Sequence, residues 1–174
     1  TGSYGRHRPG ARAQVVVSAA GGAISTAVSV RREPDGIAIV ELSRPPVNAL
    51  DRQTIEELTA TFATTAQDAR GVVLTGAGRC FSAGVDVKWA ASASEAERAL
   101  AVRAINRMVS VVYSSPMPCV AAINGHAHGG GLVLALACDL RVATDGDASL
   151  ALDEAAAGIP FPAGPLEVVR AELD

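Results

Sequence analysis

Apolar positions along the 174-residue chain change their period several times, and each change marks an element. Ala27 to Arg32 and Ile37 to Leu42 alternate and are rich in β-branched residues. They join through Pro34-Asp35-Gly36, a tight-turn sequence, so two paired strands are predicted. The spacing then becomes helical: Asp51 caps a helix to about Ala69, with Ile55, Leu58 and Phe62 on one face. Gly71 to Leu74 is a short apolar run, read as a buried strand entering a glycine-rich turn at Thr75 to Gly78. Ser94 and Glu97 form a capping box for a longer helix, whose Leu100, Ile105, Met108, Val109 and Val112 make an apolar stripe. Pro116 and Pro118 stop it.

Cys119 to Ile123 is a second buried run, ending at Asn124-Gly125. Gly129-Gly130-Gly131 then opens an apolar helix. Leu140 to Ala143 and Leu150 to Leu152 are further strand candidates, and Pro165 to Leu173 begins another helix. Strands alternating with helices predict an α/β fold with mostly parallel pairing.

Composition narrows the function classes. Hydrophobic residues are 49% and charged residues 19%, so a packed core is expected from residues 25–174. Aromatics are only 3%, and that core must be built from Val, Leu, Ile and Ala. The net charge of −3 gives no general basic field for nucleic acid, and no apolar run is long enough for a membrane helix. Residues 1–24 are rich in Gly, Ala and Arg without a steady period and read as a disordered or appended tail. A basic nucleic-acid arm is the rival reading, resting on Arg6, Arg8 and Arg12 alone. Cys80, Cys119 and Cys138 are odd in number and widely spaced, which fits a reducing compartment. Val15 to Ala27 is too interrupted for a secretory core, so a cytoplasmic location is expected. No ligand spacing for zinc occurs.

Chemistry is expected where strands end and glycines begin. Two such places are Thr75 to Asp86 and Asn124 to Gly131, and neither carries a nucleotide-binding fingerprint. The second opens a helix, whose first N–H groups lack intrahelical partners and favour an anion or developing oxyanion. Glycines there serve either close packing or close approach of a substrate carbonyl.

Three segments together carry a resemblance: SRPPVNALD (43–51), GVVLTGAGRCFSAGVDVK (71–88) and PCVAAINGHAHGGGLVLALACDLRVA (118–143). They resemble the enoyl-CoA hydratase/isomerase (crotonase) family, in order, from about residue 28 to about 169. The resemblance implies stacked ββα units (the ClpP/crotonase fold), assembled as a homotrimer or dimer of trimers, acting on acyl-CoA thioesters. Coenzyme A is then part of the substrate and no separate cofactor is implied. By the same match, the backbone N–H groups of Val85 and Gly130 polarise the thioester carbonyl. Ala83, Gly84, Asp86, Val87 and Lys88, the sole lysine, fall where relatives line the CoA and acyl site.

Members of the family differ in their carboxylates. Hydratases resemble a two-carboxylate design, with one carboxylate three residues after the middle glycine and one in the following strand and loop. Here those positions are Val133 and Glu154. An apolar first position with a retained second carboxylate resembles the Δ3,Δ2-enoyl-CoA isomerase branch, with Glu154 as single acid/base. Asp153 is its neighbouring rival, while His126 and His128 lie outside the positions the family uses. Enoyl-CoA hydration, another crotonase-type reaction and a catalytically silent acyl-CoA-binding subunit are the alternatives. Relatives usually continue for several helices beyond Arg170, so most of the C-terminal cover is expected to be missing here.

Overall fold

A computed structural model describes residues 26–65, 67–156 and 159–173. The tail assigned to residues 1–24 lies outside the described residues. β1 (Val28–Arg32) and β2 (Ile37–Leu42) form the antiparallel pair expected around Pro34-Asp35-Gly36, with Val28 opposite Leu42. Asp51 caps α1 (Arg52–Thr65) through a 2.8 Å bond from the Thr54 N–H to Oδ1. Ile55, Leu58 and Phe62 are all fully buried, each worth about 1.5–3 kcal/mol of burial. The described helix ends at Thr65, short of Ala69, and the chain beyond it makes turn bonds from the Gln67 N–H to the Thr64 carbonyl and from the Ala69 N–H to the Thr65 carbonyl.

β3 (Gly71–Gly76) is longer than expected: Thr75 and Gly76 continue the strand rather than start a turn. It pairs parallel with β2 and with β5 (Cys119–Ile123), so Val72 and Leu74 share a buried face with Cys119 and Ala121. β7 (Leu140–Ala143) completes the sheet in the order β1-β2-β3-β5-β7. As an edge strand it leaves Leu140 and Val142 63% and 62% exposed.

A second sheet was not expected. The two glycine-rich stretches read as turns contain β4 (Cys80–Ser82) and β6 (His126–His128), which pair parallel with each other. β8 (Leu150–Ala151) joins β6 on its other side, one residue shorter than the Leu150 to Leu152 expectation. At three residues each, β4 and β6 are too short to show a period, so alternation could not reveal them.

Helices α2 (Val87–Ser92), α3 (Glu95–Tyr113), α4 (Gly130–Leu136), α5 (Asp153–Ala156) and α6 (Ala163–Leu173) fill the remaining connections. The capping box is formed as read, with Ser94 accepting from the Glu97 N–H and Glu97 accepting from the Ser94 N–H. The chain therefore repeats strand, strand, helix: β1-β2-α1, β3-β4-α2-α3, β5-β6-α4 and β7-β8-α5-α6. In the last three repeats the first strand joins the large sheet and the second joins the small one. No helix among the described residues is long and apolar enough to cross a membrane.

Folding brings together two cysteines that are distant in sequence. The Cys119 and Cys138 sulfurs lie 3.2 Å apart as free thiols, both buried. The hydrogen bond with Cys119, with burial, pushes the Cys138 thiol far above its usual range, and burial raises Cys80 as well. Thiolate is the reactive form, so native protein at neutral pH should resist alkylation at Cys80 and Cys138, and burial alone shields Cys119 from reagent. Mass spectrometry before and after denaturation checks this; native labelling of Cys138 contradicts it.

Candidate active site

The segment after β4 is held on the chain preceding α1 by a single parallel bridge between Leu50 and Val85. The Leu50 N–H donates to the Gly84 carbonyl (2.8 Å), and the Asp86 N–H donates to the Leu50 carbonyl (3.0 Å). In such a bridge the flanking residues make the bonds, so the Val85 N–H points away from Leu50. Gly84 has φ +77°, and a Cβ there would lie 2.6 Å from the His128 carbonyl oxygen and 2.9 Å from the Gly130 nitrogen. Only glycine fits this position. The Val85 and Gly130 segments therefore run side by side without an intervening side chain.

The three consecutive glycines have three different surroundings. Gly131 packs on β4, where a Cβ would lie 2.3 Å from the Ser82 carbonyl oxygen. That is the packing reading of the triplet. Gly130 is the first residue of α4, so its N–H has no intrahelical partner. A Cβ on Gly130 would meet the Val85 nitrogen at 3.7 Å, an ordinary van der Waals contact, so the two donor-bearing backbones are close neighbours. Gly129 has φ +50°, and a Cβ there would come within 2.6 Å of Glu154 Oε1. The glycine thus leaves room for a carboxylate.

Glu154 reaches this space from the first turn of α5. Its Oε2 is buried and has no hydrogen-bond partner among the described residues. Burial pushes its carboxyl above the usual range, and the neighbouring Asp153 charge adds to the shift. The backbone N–H groups of Glu154 and Gly130 pull the other way. A proton-accepting carboxylate, a helix N-terminus and a second backbone N–H thus stand together. Such a set can remove a proton from carbon beside a carbonyl and hold the resulting oxyanion.

The other residues singled out from sequence fall nearby in varied settings. Ala83 is exposed and Gly84 buried between β4 and the bridge. Val87 and Lys88 are exposed on α2. Asp86 caps α2, accepting from the Lys88 and Trp89 N–H groups, and also accepts from Arg44. The Trp89 N–H, with Arg44 and the Lys88 N–H, holds its carboxyl below the usual range. Val133 is 1% exposed within the apolar core.

Asp153 and Glu154 do not extend β8, where adjacent side chains would face opposite sides. Instead they open a helical turn, where successive side chains diverge by about 100°. Asp153 meets His128 Nδ1 at 2.6 Å, while Glu154 faces Gly129. His126 Nδ1 accepts from the Ser149 N–H. No cluster of three or more metal-ligating side chains occurs among the described residues.

Residues that sequence reasoning left without a role hold this geometry. Asn48, at φ +52°, is buried and donates to the Ala77 and Cys80 carbonyls. Asparagine tolerates that backbone region better than most residues. The buried Ser82 hydroxyl donates to the Asn48 carbonyl and accepts from the Gly84 N–H. The signal was present in Arg44…Asn48 beside two prolines, but its partners lie some thirty residues away.

Comparison with known proteins agrees with the fold. The family model described as enoyl-CoA hydratase/isomerase matches residues 32–172. A probable enoyl-CoA hydratase of Bacillus subtilis (strain 168) is 40% identical over 127 residues, covering 71% of this chain and 48% of the relative. The probable enoyl-CoA hydratase EchA17 of Mycobacterium bovis (strain BCG / Pasteur 1173P2) is 37% identical over 150 residues, covering 85% and 58%. The chain spans about half the length of these curated relatives. Among solved structures, Pseudomonas aeruginosa DspI superposes with a TM-score of 0.78 at 30% identity, covering 88% of this chain and 64% of that one. Enoyl-CoA hydratase from Bacillus anthracis gives 0.77 at 36% identity, covering 83% and 57%. With its ββα repeats and a family match over most of its length, the chain belongs to the enoyl-CoA hydratase/isomerase family.

Proposed function

We propose that this chain shifts the double bond of a 3-enoyl-CoA to the 2-position, with Glu154 as the single acid/base. The observation that carries the reading is one carboxylate beside Gly129 and Gly130 while the other family carboxylate position, Val133, is apolar and buried. The Glu154 carboxylate takes a proton from C2 of the thioester. The electron pair moves into a dienolate, whose negative oxygen is held by the Val85 and Gly130 N–H groups. The Glu154 carboxylic acid then returns the proton at C4, leaving the double bond between C2 and C3. No water is consumed and no electrons leave the substrate. A carboxyl shifted upward by burial suits both halves, since it holds the proton between them.

The CoA portion would run past Ala83, Gly84, Asp86, Val87 and Lys88, with the Lys88 ammonium available to a phosphate. Trimeric assembly and a cytoplasmic location are expectations from the sequence and carry no part of this mechanism. Hydration is the second reading, favoured by the names of the curated relatives. It asks two groups to position water and move protons in concert, and Val133 can do neither. Incubating the purified chain with 3-enoyl-CoA and, separately, with 2-enoyl-CoA discriminates. Growth of the conjugated-thioester absorbance in the first is expected. Loss of that absorbance in the second, without the first reaction, would establish hydration instead.

A further inference from the structure

Between the caps of α1 and α2 stands one cation. The Arg44 guanidinium lies 3.1 Å from Asp51 Oδ2 and 3.0 Å from Asp86 Oδ2, and its Nη1 donates to the Ala49 carbonyl. Asp51 begins α1 and Asp86 begins α2. The residues just before them, Leu50 and Val85, form the bridge that aims the Val85 N–H. The bridge itself consists of two hydrogen bonds outside the two sheets, and the next backbone bond between these segments, from the Ala83 N–H to the Val47 carbonyl, lies before Gly84.

We infer that Arg44 is a positioning residue, a charge clamp whose bonds to Asp51 and Asp86 keep the Val85 backbone donor in register with Gly130. The inference rests on the reading of Val85 as an oxyanion donor and adds what holds it there. Two acidic caps brought to one guanidinium repel each other once that cation is removed. The segment that can yield is Val85 and Asp86, since Gly84 is held by the Ser82 hydroxyl and Asp51 by a fourteen-residue helix, while Asp86 precedes a helix of six residues with no buried side chain. Movement there shifts the Val85 N–H and leaves Gly130, on the buried α4, in place. Misplacement of a reacting contact by about 1 Å costs about 10²-fold in rate.

The test reads the donor directly. A cinnamoyl-CoA thioester with a para-amino donor absorbs at longer wavelength when its carbonyl is polarised, so its red shift on binding reports the oxyanion contacts. Wild-type protein should show the shift. Arg44→Met should bind the thioester with most of the shift lost, and should lower kcat for 3-enoyl-CoA about 10²-fold with a much smaller change in KM. The double variant Arg44→Met/Asp51→Asn keeps an α1 cap but removes one of the repelling charges, and should recover most of the shift. Arg44→Lys, which retains one cation but not the fork, should fall between.

A merely structural role for Arg44 gives no recovery in the double variant, and that outcome overturns the clamp. Full shift in Arg44→Met also overturns it while leaving the donor reading intact. Wild-type protein that binds the thioester without any red shift overturns both together. If Arg44→Met does not fold, the double variant and Arg44→Lys decide the matter by the same shift.

Discussion

Glu154→Gln is expected to slow isomerisation of a 3-enoyl-CoA by about 10²–10⁴-fold, the usual contribution of one positioned proton-transfer group. Glutamine keeps the shape beside Gly129 but can neither take the C2 proton nor return it. Acyl-CoA binding should change little, since the carboxylate is assigned to proton transfer and not to holding the thioester. Wild-type kcat/KM should rise with pH as Glu154 ionises, because the base form starts the reaction. Burial raises that ionisation above the ordinary carboxylate range, so the rising limb belongs at higher pH than for an exposed glutamate.

The linkage with stability runs in the opposite sense. Between the unfolded and the raised folded pKa, the folded state binds more protons, so stability falls as pH rises. Glu154→Gln removes that cost, and its melting temperature at neutral pH should equal or exceed the wild-type value. Loss of activity without loss of stability separates proton transfer from misfolding. Full activity in the variant would end the assignment. Val133→Ala, by comparison, should act mainly through packing.

Gly130→Pro should cost about 10²–10³-fold in kcat, the typical loss of one oxyanion donor. Proline at the first helical position is compatible with α4, where its missing N–H has no intrahelical partner to lose. Its ring carbon would also stand where the donor hydrogen pointed. Helix content by circular dichroism should therefore stay near wild type while the cinnamoyl-CoA red shift disappears. Val85→Ala is the matching control, because the side chain can change while the backbone N–H remains. A retained red shift in Gly130→Pro would remove Gly130 from the site.

Periodic and capping signals were legible because they are local. The Pro34-Asp35-Gly36 turn, the Ser94 and Glu97 box and the Cys119–Ile123 strand each depend on residues a few positions apart. Of the small sheet only β8 was legible as a strand; β4 and β6, and the pairing that makes the sheet, arise across stretches of about twenty to fifty residues. Its effect on the site is large: the pairing of β6 with β8 brings Ala151 beside His128, and α5 follows immediately with Glu154. The resemblance named Glu154 and the two donors; it did not say what would hold them.

The sequence by itself determined the α/β class, most helix and strand positions, and the residue types available for chemistry. It placed glycines where backbone must approach backbone, and put Val133 and Glu154 at the two positions where the resemblance leads one to look for carboxylates. Only the tertiary structure decided that Asp153 turns to His128 while Glu154 turns to Gly129, and that Arg44 bridges Asp51 and Asp86. The reason is physical: propensity and periodicity act over single turns and strands. The distances between catalytic groups are set instead by strand register and buried hydrogen bonds such as those of Asn48 and Ser82.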